Sequence, residues 1–266
     1  LEKLLKVLES AKKPVIYIGG GVKVSKGATE ELIKFANTLN IPVVSSFMGL
    51  SGYPANDAKW IGWLGMHGNY ASNMAVTESD YIIAIGTRFT DRSTGSLDRF
   101  AKNARIAHND IDPSSTSKTV DIEIPVVGDS YNVLCMINKY LKDYKWEKCA
   151  EDRNKWFDTV KNWDNEKPFS YKYSDNIIKP QFVIETLYKV TEGDAIIATD
   201  VGQNQMWAGQ FYKYKFPRQF LSSGGMGTMG YGLPAAMGAK VGRPDKEVFC
   251  VTGDGGILMN IQELTT

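Results

Sequence analysis

Short runs of β-branched and aromatic residues, each ending in glycine or a polar residue, recur along this chain with helical patterns between them. Val15-Ile16-Tyr17-Ile18 runs straight into Gly19-Gly20-Gly21, and Leu32, Ile33, Phe35 and Ala36 then fall at helical spacing across residues 28–39. Further strands are expected at residues 41–46, at 80–86, from Arg105 to Asp110, and at 124–127. Helices are expected at residues 1–10, 70–76 and 130–142, and residues 61–68 read as a glycine-rich loop. Runs too short for helices, bounded by glycine and alternating with amphipathic stretches, predict strands and helices in turn. That alternation specifies an α/β fold, a doubly wound, Rossmann-like parallel sheet covered by helices on both faces.

In such a sheet ligands bind at the carboxyl ends of the strands. Those ends are where the chain concentrates its polar and glycine-rich residues: Gly19-Gly20-Gly21, Ser46-Phe47, Gly86-Thr87-Arg88, Asp110-Ile111 and Gly128-Asp129. Their convergence predicts a dinucleotide crevice. Glycine permits close approach to a pyrophosphate, and Arg88 and Arg92 carry charges able to bond it. Asp110 is placed to accept from ribose or adenine. Surface ion pairs with Asp91 and Asp98 are the competing reading for the two arginines, and a plain loop histidine is the reading favoured for His67 by itself.

The second half repeats the logic. Residues 195–200 and 219–223 are expected strands, and Gly202-Gln203-Asn204 opens a helix. Five glycines then fall between Gly224 and Pro234, ahead of an alanine-rich helix at residues 235–240. Val248-Phe249-Cys250-Val251 leads into Gly253-Asp254-Gly255-Gly256 and a new helical pattern. Strand, glycine turn and helix present backbone N–H groups to a phosphate. A carboxylate such as Asp254 repels a diphosphate unless a hard divalent cation lies between them, as Mg²⁺ commonly does. An ordinary Asp-Gly turn is the alternative. The expected domains are residues 1–143 and 180–266. Residues 144–179, with three tryptophans and many charges, are expected to link them, partly helical around 147–162, and to pack those tryptophans onto both.

The 31 basic and 30 acidic residues balance, which points away from nucleic acid and anionic membranes. No apolar run is long enough for a bilayer. Cys135, Cys149 and Cys250 are odd in number and widely spaced, the usage of a reducing cytoplasm. The chain opens on Leu1 and stops at Thr266 just into its last helix, so it is expected to be a piece of a longer polypeptide.

Residues 222–234, Ser-Ser-Gly-Gly-Met-Gly-Thr-Met-Gly-Tyr-Gly-Leu-Pro, followed by Gly253-Asp254-Gly255-Gly256, resemble the cofactor domain of thiamine diphosphate enzymes. Leu64-Gly65-Met66-His67-Gly68, the stretch from Gly86 to Arg92 and the stretch from Tyr17 to Gly21 are similar to the FAD-binding middle domain of the acetolactate synthase family. The resemblance spans nearly the whole chain. It implies FAD contacts at Gly19, Gly20, Gly21, Ser46, Phe47, Leu64, Gly65, Met66, His67, Gly86, Thr87, Arg88, Arg92, Asp110, Ile111 and Asp129. For thiamine diphosphate it implies Gly202, Gln203, Asn204, Gly227, Met229, Gly253, Gly255 and Gly256, with Met229 as an apolar wedge that bends the cofactor and Asp254 as a Mg²⁺ ligand. Asn204 stands where the family has histidine, Thr90 where it has aspartate and Ser93 where it has valine.

The resemblance further implies decarboxylation of pyruvate and carboligation of the hydroxyethyl unit to a second 2-oxo acid, in branched-chain amino-acid biosynthesis. It implies a homodimer or tetramer and allows a regulatory small subunit. The activating glutamate and a second Mg²⁺ ligand, an asparagine, lie outside this stretch, so no catalytic residue is assigned and the stretch alone is expected to be inactive. Another FAD-containing thiamine enzyme, pyruvate oxidase or glyoxylate carboligase, stays open, as does a non-catalytic nucleotide-binding module.

Overall fold

The computed structural model describes residues 1–266 and divides them into two compact units, Leu1–Pro168 and Phe169–Thr266. In the first unit, α1 (Glu2–Ser10), β1 (Pro14–Ile18), α2 (Gly20–Val24), α3 (Ala28–Leu39), β2 (Val43–Ser45), β3 (Trp60–Trp63) and α4 (Tyr70–Glu78) come first. Then follow β4 (Tyr81–Ile85), α5 (Asp91–Thr94), β5 (Arg105–Asp110), β6 (Ile124–Val127), α6 (Ser130–Tyr140) and α7 (Ala150–Glu166). The strands form one parallel sheet in the order β3-β2-β1-β4-β5-β6. Chain direction across the sheet therefore reverses between β1 and β4. Such a reversal opens a crevice at the carboxyl ends of these two strands.

Side-chain alternation along each strand divides the core. Ile16, Ile18, Ile83 and Ile85 face a layer built from α1, α3 and α6, where Leu4, Leu8, Leu32, Phe35 and Leu134 are buried. Val15, Tyr17, Ile82 and Ala84 face the opposite layer, with Ala71 and Ala75 of α4 and Trp156 and Val160 of α7. Both faces are covered, as the continuous apolar strands require.

Two expectations for this unit need correction. Residues 60–63 are a sixth strand instead of loop. Gly62 takes φ +142° at a register shift opposite Val43 and Val44, and the Asn69 amide donates to the Ile61 carbonyl (2.8 Å). The bulge hides the strand from a period-two pattern. The presumed link at residues 144–179 also divides, because the unit boundary falls at Pro168. Trp146, Trp156 and Trp163 all belong to the first unit, and the Trp156 indole donates to the Pro14 carbonyl at 3.0 Å in its core.

The second unit contains α8 (Pro180–Val190), β7 (Ile196–Thr199), α9 (Gln203–Phe211), β8 (Phe220–Ser222), α10 (Gly232–Gly242), β9 (Val248–Val251) and α11 (Asp254–Met259). Its parallel sheet has the order β8-β7-β9. The helical pattern expected beyond Asp254 breaks at Asn260, and residues 261–265 continue as a 3₁₀ turn. No helix in either unit is long and apolar enough to cross a membrane.

Candidate cofactor-binding sites

In the first unit the structure brings the strand-end residues together at the β1/β4 reversal. The Gly19 amide donates to the Ile85 carbonyl (2.9 Å) and the Gly21 amide to the Gly86 carbonyl (3.0 Å). A Cβ on Gly19 would lie 2.1 Å from the Gly86 oxygen and 2.6 Å from the Thr87 Cα, and one on Gly21 would lie 2.7 Å from the Gly86 Cα. Gly86 itself takes φ +60°. Two backbones meet here at a separation only glycine allows. This cradle fits a pyrophosphate. Gly20 begins the short helix α2.

The other residues gather around that floor in different ways. Arg88 is exposed and makes no ion pair, so the pairing with Asp91 or Asp98 is absent; Arg92 touches the Met66 sulfur at 3.7 Å. The Arg92 carbonyl receives the Met66 amide (3.0 Å), and a Cβ on Gly65 would sit 2.3 Å from it, so residues 64–67 and 92 form one wall. Leu64 is buried, while Met66 and His67 are exposed, and His67 packs its ring toward Trp63. The Phe47 ring also packs against Trp63, tilted by 40° with ring centroids 4.9 Å apart. Ser46 caps the turn after β2 by accepting from the Gly49 amide (3.1 Å).

Asp110 ends β5 and Ile111 next to it is largely exposed. The Asp129 carboxylate is occupied: it caps α6 by accepting from Tyr131 and Asn132 and takes the Ser25 hydroxyl at 2.8 Å. A strand-end aspartate that caps the next helix looks the same in sequence as one that meets a ligand.

Sequence reasoning missed two buried groups beside this crevice. Lys23 on α2 is 8% exposed, and burial lowers its ammonium to about 8. His108 on β5 is fully buried, and its Nε2 donates to the Thr87 carbonyl (2.7 Å), which leaves Nδ1 without a partner. A single histidine inside a strand pattern reads only as a polar interruption.

Burial pushes the His108 pKa down, against smaller upward effects of the Thr87 bond and of Asp110. The unfolded chain therefore binds a proton that the folded unit resists, and stability falls as pH drops below the ordinary histidine value of about 6.5. The urea midpoint should decline between about pH 7 and pH 5, a window above most carboxylate titration. That decline should flatten in His108→Asn; an unchanged slope would assign it to another group.

In the second unit the glycine turns converge at the carboxyl ends of β7 and β9. A Cβ on Gly255 would lie 3.3 Å from the Met229 Cε, so the wedge candidate and the Gly-Asp-Gly-Gly turn face each other. Met229 is 46% exposed, a poor position for a residue serving only as core. Gly202 takes φ +139° and Gly227 φ +62°, conformations that favour glycine. Gly202, Gln203, Gly227 and Asp254 are exposed, and nothing lies within 4 Å of a Cβ built on Gly253.

The Asn204 amide donates to the Val251 carbonyl (2.8 Å) and the Asp200 carbonyl (3.3 Å), tying β7 to β9. No group of three or more histidine, cysteine, aspartate or glutamate side chains could hold a metal. Asp254 is exposed on its turn, and a Mg²⁺ ion held there would have to draw its other ligands from a bound diphosphate, main chain or water.

Comparison with known families agrees with this division. Residues 1–137 match the thiamine pyrophosphate enzyme central domain, and residues 200–266 match the thiamine pyrophosphate enzyme C-terminal TPP binding domain. The chain belongs to the thiamine pyrophosphate enzyme family.

Among its relatives is the acetolactate synthase large subunit of Buchnera aphidicola subsp. Schizaphis graminum, 48% identical over 266 residues, which cover 100% of this chain and 46% of that protein. The acetolactate synthase isozyme 3 large subunit of Escherichia coli is 45% identical over 100% of this chain and 46% of its own length. Acetolactate synthase 3, chloroplastic, of Brassica napus is 44% identical over 100% of this chain and 40% of its own. The chain spans about half the length of the curated relatives it matches.

Proposed function

We propose that the protein acts as the catalytic, large subunit of an acetolactate synthase. It decarboxylates pyruvate and joins the two-carbon unit to a second 2-oxo acid, in the biosynthesis of branched-chain amino acids. The observation that carries this reading is the position of Met229 opposite the Gly-Asp-Gly-Gly turn, in a chain whose whole length aligns with acetolactate synthases. Thiamine diphosphate supplies the electron sink for decarboxylation.

The residues of this chain bind and orient. Main-chain N–H groups around Gly253, Gly255 and Gly256 would hold the diphosphate, and Asp254 would hold Mg²⁺. Gly202, Gln203 and Gly227 border the same crevice, and Asn204 keeps its two strand ends together. Met229 would supply an apolar shoulder beside the cofactor. In the first unit Gly19, Gly20, Gly21, Gly86 and Thr87 form the floor of an FAD site, Arg88 and Arg92 face its pyrophosphate, and Asp110 and Ile111 border the nucleoside. Ser46, Phe47, Leu64, Gly65, Met66 and His67 form its wall, and Asp129 supports it by capping α6.

The relatives' description as large subunits supports a small regulatory partner. A homodimer or tetramer and a cytoplasmic location complete the reading; the free cysteines suit that compartment.

The test is to purify the protein in full length, record its flavin absorbance, and supply pyruvate, Mg²⁺ and thiamine diphosphate. Acetolactate and CO₂ in about a one-to-one ratio are expected from this chemistry. Hydrogen peroxide formed from pyruvate would instead indicate an oxidase, and turnover of glyoxylate alone a glyoxylate carboligase. Bound FAD with no binding of thiamine diphosphate would indicate a nucleotide-binding module.

Arg88 has no competing protein partner, so it is free for the flavin pyrophosphate. Arg88→Ala should weaken flavin binding at least about tenfold, the value of one charge-assisted bond. An unchanged dissociation constant would make Arg88 a solvent-facing residue only.

A further inference from the structure

We propose that Asp200 is the positioning residue of the thiamine diphosphate crevice, holding the turn that carries Met229 and the turn that carries Asp254 against the end of β7. The proposal rests on the cofactor reading given above. Asp200 follows the last residue of the central strand and is 1% exposed. A buried carboxylate is costly unless its oxygens are hydrogen-bonded. No lysine, arginine or histidine pairs with it, and its partners are main-chain N–H groups. Oδ1 accepts from Val201 (2.9 Å) and Gly230 (3.1 Å), and Oδ2 accepts from Gly232 (2.8 Å). Gly230 and Gly232 lie thirty residues on, in the glycine-rich turn, and Gly230 directly follows Met229.

The third loop leans on the same carboxylate. A Cβ on Gly256 would lie 2.4 Å from the Asp200 Oδ1 and 2.6 Å from its Cγ. A Cβ on Gly232 would lie 2.7 Å from the Asp200 amide nitrogen. One side chain thus sets the spacing of the Gly202, Met229 and Gly-Asp-Gly-Gly segments. Asn260 adds a second tether from beyond α11, donating to the Gly230 carbonyl at 2.7 Å. The Gly230 residue is held at both its N–H and its C=O, by residues from two different elements. Gly230 takes φ +87°, so its backbone sits in the left-handed region that glycine tolerates. Closing a turn needs fewer restraints than this. Holding Met229 at a fixed distance from Gly255 needs all of them, because misplacement by about 1 Å costs on the order of 100-fold in rate.

The test uses Asp200→Asn in the full-length protein, which keeps the size but turns an amide NH₂ toward a main-chain N–H. Hydrogen exchange at Gly230 and Gly232, whose N–H groups donate to Asp200, should accelerate together. Thiamine diphosphate affinity should fall about tenfold, and kcat at saturating cofactor about 100-fold, with the KM for pyruvate within about twofold. FAD affinity should not change, since that site lies in the other unit. Wild-type kcat and cofactor affinity, whatever the melting temperature, would reduce Asp200 to a folding residue and overturn the proposal. Should Asp200→Asn fail to fold, Asn260→Ala removes only the second tether. It should lower kcat about tenfold at unchanged KM, and wild-type values would likewise overturn the proposal. Failure of the cofactor reading looks different. The wild-type protein would then not bind thiamine diphosphate, while exchange at Gly230 and Gly232 would still accelerate in Asp200→Asn.

Discussion

Replacing Gly19 by alanine should abolish practical flavin binding while leaving the protein folded. The backbone at Gly19 has φ −120°, which alanine adopts without strain, so the effect is steric alone. The new methyl would meet the Gly86 oxygen at 2.1 Å, the Thr87 Cα at 2.6 Å and the Gly86 carbonyl carbon at 2.8 Å. These are main-chain atoms on the neighbouring strand end, and none can rotate aside. The β1 and β4 ends must separate, which breaks the Gly19–Ile85 and Gly21–Gly86 hydrogen bonds at the crevice floor. Overpacking of this kind costs about 1–3 kcal/mol of stability. The flavin loses the shape of the crevice floor and its close approach together, so affinity should fall at least about 100-fold, equivalent to about 2.7 kcal/mol.

Gly20→Ala is the internal comparison, because its Cβ would meet nothing closer than the Met48 oxygen at 3.5 Å. Desalting followed by flavin absorbance, with a thermal melt on the same samples, separates the two effects. Equal flavin retention in both variants would mean that the β1/β4 reversal is not the flavin site.

Much of this was legible in the sequence, for physical reasons that also mark where legibility stops. Val15-Ile16-Tyr17-Ile18 and Tyr81-Ile82-Ile83-Ala84-Ile85 are buried on both sheet faces, so their apolar composition announces central strands. Trp60-Ile61-Gly62-Trp63 hides because a glycine interrupts it at a bulge on the sheet edge. In α7, the longest helix, only Arg153, Trp156 and Val160 are buried, so its polar majority imitates a linker.

The sites divide in the same way. Strand-end logic finds Gly19, Gly86 and Arg88, because backbone topology alone brings them together. It cannot distinguish Asp129, which turns inward to cap a helix, from Asp110 at the adjacent strand end. Nor can it find His108 or Asp200, whose roles come from hydrogen bonds to residues remote in sequence.

Truncating Met229 to alanine should remove turnover while sparing stability. Met229 is 46% exposed, so its truncation forfeits little buried surface and creates no closed cavity. The loss of stability should stay below about 1.5 kcal/mol, the range of changes outside a packed core. Its Cε lies 3.3 Å from the position of a Cβ on Gly255, across the mouth between two glycine turns. The Asp200 and Asn260 tethers fix the peptide directly after it, so neither turn can slide in to fill the space. The bound cofactor then keeps its diphosphate contacts but loses the apolar shoulder that sets its bend. Binding should weaken only a few-fold, whereas kcat should fall on the order of 100-fold, because only the reactive geometry is lost. Met229→Leu, nearly equal in volume, should recover most of that loss. Turnover per cofactor-loaded subunit, measured beside the melting temperature, decides the matter. An alanine variant that melts earlier yet keeps its kcat would place Met229 in the packing of the second unit and outside the chemistry.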